Sequence, residues 1–492
     1  MQNQVKAPSF LDASLPLLVL IVLLSISVYL FSDDSSFGPN QIALFIATAV
    51  AAVIGLKNGY RWQDIESSMV KGISLSLNAV LILFSVGALI GTWLLSGTVP
   101  SLIYYGLQLL NPGWFYAASC LICCIVSMSI GSSWTTAATI GVALIGVATG
   151  LGLSPVIAAG AIVSGAYFGD KISPLSETTN LAPAVVGVEL FEHIRHLMWT
   201  TIPSITLAIV LFAIIGLNTD VNVDSQHIAE ISGVLQQNFN ISWISLVPLF
   251  VLLFMAVKKV PAFPTVFLGA LLGGVWALLF QQSLIVRLID TDLPVILGSI
   301  KLVWSTLASG LVMDTGNQDL DKLLSGGGMV SMLNTVWLIF SAMMFGAVIE
   351  KIGLLRKFVQ GILHYARSTG SLITSTIATC FATNILTADQ YMSIVMPGRM
   401  YKEEYERRGL APVNLSRTLE DGGTITSPLI PWNTCGAYMH GVLQVNPLDY
   451  AVYAFFNWIN PLLAIIYAYL GIKILRLTPP ESVRSQLDAN NV

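Results

Sequence analysis

Polar residues are sparse along this chain and gather in clusters between long apolar stretches. Runs almost free of charge cover residues 13–31, 41–56, 74–96, 114–130, 134–168, 197–217, 242–257, 262–281, 332–350 and 448–473. About 20 apolar residues in a helix cross the hydrocarbon of a bilayer, so the pattern predicts an all-α polytopic membrane protein. The polar clusters interrupt this background at places that recur.

The recurrence is an internal duplication. Gly72-Ile-Ser-Leu-Ser-Leu-Asn78-Ala-Val-Leu-Ile-Leu-Phe84-Ser85 aligns without gaps on Gly328-Met-Val-Ser-Met-Leu-Asn334-Thr-Val-Trp-Leu-Ile-Phe340-Ser341, and the same interval relates Gly97 to Gly353. Near the ends of the halves, Gly169-Asp-Lys-Ile-Ser173-Pro174-Leu175 echoes Gly423-Thr-Ile-Thr-Ser427-Pro428-Leu429. A duplicated apolar chain with a polar Ser-Pro interruption in each copy is the pattern of a secondary transporter. The expected organisation is a first repeat over 1–217, an external linker over 218–241, a second repeat over 242–475 and a cytoplasmic tail over 476–492.

Composition narrows the class. Of 492 residues 55% are hydrophobic and 10% charged, and the mean hydropathy is +0.76. Soluble domains carry about 25% charged residues, which excludes a protein soluble throughout. The net charge of −4 is weak, and no nucleic-acid partner is expected. Cys120, Cys123, Cys124, Cys380 and Cys435 all sit in apolar surroundings and read as buried small hydrophobes rather than metal ligands. The first apolar run lacks a small-residue cleavage site and reads as a retained helix.

Basic residues mark cytoplasmic loops. Lys57, Arg61 and Lys71 follow the second run, whereas Asp33 and Asp34 follow the first, which places the N-terminus inside. The stretch 218–241 lacks Lys and Arg but holds Asp220, Asp224 and Glu230, and reads as external. Lys258 and Lys259, then Lys351, Arg356, Lys357 and Arg367, return the chain to the inside. The helix beginning near Gly72 therefore runs opposite to its copy near Gly328, so the repeats are expected to be inverted. Arg287, Lys301 and Lys322 fit less well, and 293–311 reads as an interfacial amphipathic helix. The basic loop 399–417 is also cytoplasmic, so 371–398 must dip in and return as a re-entrant hairpin, with 114–150 its counterpart. Gly326-Gly327-Gly328 reads as a flexible lead into a membrane helix. His193 and His196 read as an interfacial belt with Trp199.

The predicted hairpin tips are Ser129–Thr136, with Ser132, Ser133 and Thr135, and Thr383–Gln390, with Asn384, Thr387 and Asp389. The predicted helix interruptions are Asp170–Asn180, with Ser173, Glu177, Thr178 and Thr179, and Thr424–Thr434, with Ser427 and Asn433. Proline breaks a helix and frees carbonyls, and neighbouring hydroxyls and amides add oxygens that suit a hard cation such as sodium. Carboxylates inside membrane spans are functional candidates by default, since a charge at mid-bilayer costs about 2.5–3.5 kcal/mol on insertion scales. Asp170, Glu177, Asp389, Glu420 and Asp421 qualify as proton-coupling candidates, with Asp170 and Asp389 as sodium ligands and Arg417 as an alternative partner for Glu420 or Asp421. No phosphate-cradling Gly-x4-Gly-Lys-Ser/Thr motif and no nucleophile–base set occurs, so neither an ATP motor nor an enzyme is expected, and no cofactor is called for.

Gly91-Thr-Trp-Leu-Leu-Ser-Gly-Thr-Val-Pro100, Gly169-Asp-Lys-Ile-Ser-Pro-Leu-Ser-Glu-Thr-Thr-Asn-Leu-Ala-Pro183, Phe191-Glu-His-Ile-Arg-His196 and Leu415-Ser-Arg-Thr-Leu-Glu-Asp-Gly-Gly-Thr-Ile-Thr-Ser-Pro-Leu-Ile-Pro-Trp-Asn-Thr-Cys-Gly436 resemble the NhaC-type sodium/proton antiporters. That resemblance implies inverted repeats, two re-entrant hairpins, a homodimer and an elevator-like movement in a bacterial inner membrane. The expected activity is exchange of sodium, or lithium, for protons. Related exchangers move small organic anions such as malate and lactate, with Lys171 and the hydroxyls able to hold a carboxylate. On this reading Asp389→Asn abolishes sodium-driven proton movement in vesicles while the protein still inserts. Unaltered exchange at every pH would remove Asp389 from the mechanism.

Overall fold

The computed structural model describes residues 6–31, 37–219, 225–289, 293–316, 324–354 and 366–477, with Ser35, Asp321, Lys357 and Gly361 as isolated positions. Asp33, Asp34, Asp220, Asp224, Lys322, Arg356 and nearly all of the predicted tail lie outside them. Among the described residues, eight helices are long and apolar enough to cross a membrane, or up to ten if two bent pairs each count as one span.

The first half runs through α1 (Phe10–Phe31), α2 (Pro39–Lys57), α3 (Trp62–Leu75), α4 (Leu77–Leu95), α5 (Thr98–Leu109), α6 (Phe115–Ile130), α7 (Ser133–Gly150), α8 (Pro155–Ile172), α9 (Glu177–Val186) and α10 (Leu190–Leu217). The second half continues with α11 (Ser225–Asn238), α12 (Val247–Val257), α13 (Ala262–Phe280), α14 (Gln282–Leu288), α15 (Val295–Ser309), α16 (Leu333–Ile352), α17 (Thr369–Thr387), α18 (Gln390–Arg407), α19 (Pro412–Leu419), α20 (Thr434–Leu443) and α21 (Phe455–Leu470).

The halves end and restart their helices at matching places. α4 stops at Gly97 and α16 at Gly353, both left-handed with φ of 76° and 79°. α6 stops at Gly131 and α17 at Ala388, again left-handed. The next residues, Ser132 and Asp389, cap α7 and α18 through their side chains. At the same interval Ser176 and Asn433 cap α9 and α20, and Gly187 and Gln444 end them in the left-handed region. Glu189 then caps α10, and Asn446 caps the short turn Pro447–Tyr450. Capping oxygens satisfy amides that no intrahelical carbonyl reaches, a requirement that sharpens in a membrane.

The helices pack in two groups. In one, α1 lies on α2, α16 on α2 and α3, and α4 on α13 and α15. In the other, α6 lies along α8, α10 along α21, α17 along α18 and α21, and α9 along α18. The interrupted segments belong to the second group, and α16 joins the groups through α17 and α20.

The apolar run 134–168 divides into two helices after Gly150, where left-handed Gly152 and the Ser154-Pro155 start break it. Two expectations are corrected. Gly326–Gly328 is no flexible lead: all three have positive φ, the amide of Gly328 donates to the Gly87 carbonyl at 2.5 Å, and a Cβ on Gly327 would lie 2.2 Å from the Gly91 amide nitrogen. The glycines let this strap lie on the backbone of α4. His193 and His196 are buried rather than interfacial, because they face α19, where His193 Nδ1 meets Ser416 Oγ at 2.8 Å. Trp199 is exposed as expected and carries Lys473 over its ring. The exposed apolar helix α15 occupies the predicted interfacial segment.

Gly165 and Gly169 bring α8 onto α6. A Cβ on Gly165 would lie 2.2 Å from the Cys120 carbonyl oxygen, and one on Gly169 2.3 Å from the Met128 amide nitrogen. Small residues four apart allow such approach in membrane helices. Gly165→Val must push the pair apart, with an expected loss of about 1–3 kcal/mol, read as a lower unfolding temperature in detergent. An unchanged temperature would show that this contact does not fix α8.

Candidate functional site

The four polar segments converge. Asp170, in the last turn of α8, accepts hydrogen bonds from Ser133 of the first tip and from Ser176, the cap of α9, each at 2.6 Å. Thr178 Oγ1 lies 3.1 Å from Ser176 Oγ. Thr179 donates to the carbonyls of Asp170 and Lys171 at 2.8 and 2.9 Å and ties α9 back onto the end of α8. At the second tip, Asn384 donates to the Gly423 carbonyl at 2.6 Å and to Thr426 Oγ1 at 3.0 Å, and accepts from Asn433 at 3.1 Å. The amide of Thr434 donates to the Ala388 carbonyl. Across the halves, Tyr438 stacks on Trp134 and donates to its carbonyl, and Tyr391 donates to Glu177.

A wholly buried ion pair lies one residue from Asp170. Lys171 Nζ donates to Asp421 Oδ1, and both side chains are 0% exposed. Asn460 of α21 accepts from Lys171 at 2.9 Å and donates to Asp421 at 2.7 Å, and Thr200 of α10 donates to Asp421 at 3.1 Å. Arg417 stands at 3.8 Å from Asp421, so the expected Arg417–Asp421 partnership is secondary to Lys171. Asp421 is the second residue of a π-helical turn, Glu420–Thr424, which runs on from α19. Such turns misalign the backbone ladder and concentrate at functional sites. Glu420 is 0% exposed, and among the described residues neither carboxyl oxygen has a hydrogen-bond partner.

The other predicted residues fall into capping, exposed and carbonyl-bonded positions. Asp389 caps α18 at the second tip, is half-buried, and accepts from the Met392 amide at 2.8 Å. Among the described residues no hydrogen bond or ion pair joins Asp389 to Asp170, although both lie within electrostatic reach of Tyr391. Glu177 and Asn180 are exposed, and Asn180 donates to the Pro174 and Ser176 carbonyls. Ser132 is a cap whose oxygen accepts from Thr135. Ser173, Thr387 and Ser427 direct their hydroxyl protons to the carbonyls of Met128, Thr383 and Thr424. Lys171 is committed to Asp421, so it is not a free cation for an organic carboxylate. Sequence reasoning missed Thr200, Asn460 and Tyr391. The signal for Asn460 was present, as one of two amides, with Asn457, in an apolar run.

A multi-span helical bundle in which four interrupted, oxygen-rich segments meet around buried carboxylates defines a secondary membrane transporter. The family model described as the Na+/H+ antiporter family matches residues 10–167 and 165–472, and the chain belongs to that family. It is 39% identical over 434 residues to the Na+/H+ antiporter NhaC of Alkalihalophilus pseudofirmus, covering 88% of this chain and 91% of that one. It is 36% identical to the malate-2H+/Na+-lactate antiporter of Bacillus subtilis, covering 98% and 99%. Among solved structures, Neisseria gonorrhoeae MtrF covers 97% of each chain at 14% identity with a TM-score of 0.36.

Removing one partner of a buried ion pair strands the other, at about 3–5 kcal/mol, whereas removing both is far milder. Lys171→Met should therefore lower the unfolding temperature in detergent more than the double variant Lys171→Met/Asp421→Asn does. Additive losses would show that the two side chains do not act as a pair.

Proposed function

We propose that the protein exchanges sodium, or lithium, for protons across a bacterial cytoplasmic membrane by alternating access, with Asp170 as the cation-binding carboxylate. The observation that carries this reading is the environment of Asp170. Two serine hydroxyls hold it, the Thr178 hydroxyl stands behind one of them, and among the described residues it has no ion pair, whereas Lys171 is occupied by Asp421. Hydroxyls can turn from donating to a carboxylate to offering lone pairs to a cation, so the cage fits either occupant. Ser133, Ser176 and Thr178 supply its oxygens, while Asn384, Asn433 and Asp389 shape the opposite wall. The absence of an unpaired basic group beside Asp170 among the described residues favours a cation over an organic anion.

The group of helices that carries the breaks moves against the α1–α4 and α12–α16 framework in an elevator-like step. The matched caps support two repeats, over 1–217 and 242–475 and joined by an external 218–241, and the loop charges support their inversion with both termini inside. The protein works as a homodimer.

Purified protein in proteoliposomes, challenged separately with sodium, lithium, malate and lactate, tests the reading. Sodium alone should drive proton movement, read as recovery of a quenched pH dye, and Asp170→Asn should reduce it to the level of empty vesicles. Proton movement that requires malate or lactate would replace cation exchange with organic-anion exchange.

A further inference from the structure

Among the described residues, and apart from the peripheral Asp12–Lys57 pair, the buried core holds three carboxyl groups, Asp170, Glu420 and Asp421, against two cations, Lys171 and Arg417, with the buried His193 and His196 counted as neutral imidazoles and the half-buried Asp389 left outside it. With all five ionised the core carries one surplus negative charge. Burying a net charge is costly, so the core favours holding one further positive charge: a proton or a sodium ion. Asp421 is already matched by Lys171, Asn460 and Thr200. The surplus thus falls on Asp170 or Glu420.

Their surroundings differ. Asp170 accepts two hydrogen bonds, from Ser133 and Ser176, and is slightly exposed beside the open Glu177 face. Glu420 has both oxygens buried without a donor, and the Thr424 hydroxyl beside it completes no hydrogen bond with acceptable geometry. The groups facing Glu420 are Asp170 and Lys171 on α8, Arg417 and Asp421 on its own helix, and Cys380 on α17. Around the same turn α18 presents Tyr401 and Tyr405, α9 the exposed Glu177, and α21 Asn457 and Asn460 with Tyr467 near Arg417. None of these forms an ion pair with Glu420 among the described residues.

We propose that Glu420 holds the proton that is exchanged for the sodium ion bound at Asp170, the two sites being coupled through the single surplus charge they share. This rests on the cation-exchange reading above and assigns its two ions to different residues. When sodium enters at Asp170, the carboxyl O–H of Glu420 breaks and its proton leaves to water, keeping the core neutral. When Glu420 is reprotonated, the extra positive charge expels sodium. Both ions together would leave the core at +1 and neither would leave it at −1, so exchange runs at one proton per sodium.

The test is sodium binding to the purified full-length protein, with radioactive sodium at a series of pH values and proton release followed in weakly buffered solution. In the wild type, sodium affinity should rise toward tenfold per pH unit on the acid side, with one proton released per sodium bound. Glu420→Gln mimics the proton-loaded state, and should bind sodium weakly, with no pH slope and no proton release. Glu420→Asp should keep the slope with a displaced midpoint, and carries the test should the glutamine variant fail to fold. A retained slope in Glu420→Gln, an undisplaced midpoint in Glu420→Asp, or more than one proton released per sodium in the wild type would each overturn the proposal. Wild-type protein that binds no sodium at all would instead remove the cation-exchange reading beneath it.

Discussion

The contact between Lys171 and Asp421 organises the interior of this protein. A lysine ammonium and an aspartate carboxylate, both sealed from solvent, tolerate burial only because each neutralises the other and Asn460 and Thr200 fill their remaining valences. The contact joins the end of α8 in the first half to the π-helical turn in the second. Asp170 is the residue before Lys171, so the tether also decides where that carboxylate stands. With Lys171 held by Asp421, Asp170 is left to the Ser133 and Ser176 hydroxyls, and Glu420 has no hydrogen-bond partner among the described residues.

The helix breaks obey the same constraint on polar groups. A broken helix in a membrane exposes amides and carbonyls that nothing outside can satisfy. Here side chains of the same break and of a neighbouring one satisfy them. Ser132, Asp389, Ser176 and Asn433 cap the restarting helices, and Asn384 reaches the carbonyl of Gly423. Each break is closed partly by another, so they converge.

Much of this was legible in the sequence. The apolar runs marked most of the spans, and the Gly-Asp-Lys-Ile-Ser-Pro and Gly-Thr-Ile-Thr-Ser-Pro echoes marked both interruptions. The tips were located to within a few residues, because hydroxyl, glycine and asparagine clusters are conspicuous in an apolar chain. Two readings failed for one reason: they assigned a local role to residues whose partners are distant. The Gly326–Gly328 strap lies on Gly87 and Gly91 across the fold, besides pairing with Leu311. His193 looks amphipathic in its helix but faces Ser416, more than two hundred residues away.

The sequence by itself determined the class of protein, the duplication and the short roster of acids that could matter, since hydropathy, repetition and stray charge are properties of residues read in order. Which acid is paired, which is caged and which is bare was decided only by tertiary structure. Arg417 lies four residues before Asp421 and looks like its natural partner, yet Lys171, far along the chain, takes that place. The character of a buried carboxyl depends on the donors that folding brings to its two oxygens, and those donors come from helices whose proximity no spacing along the chain records.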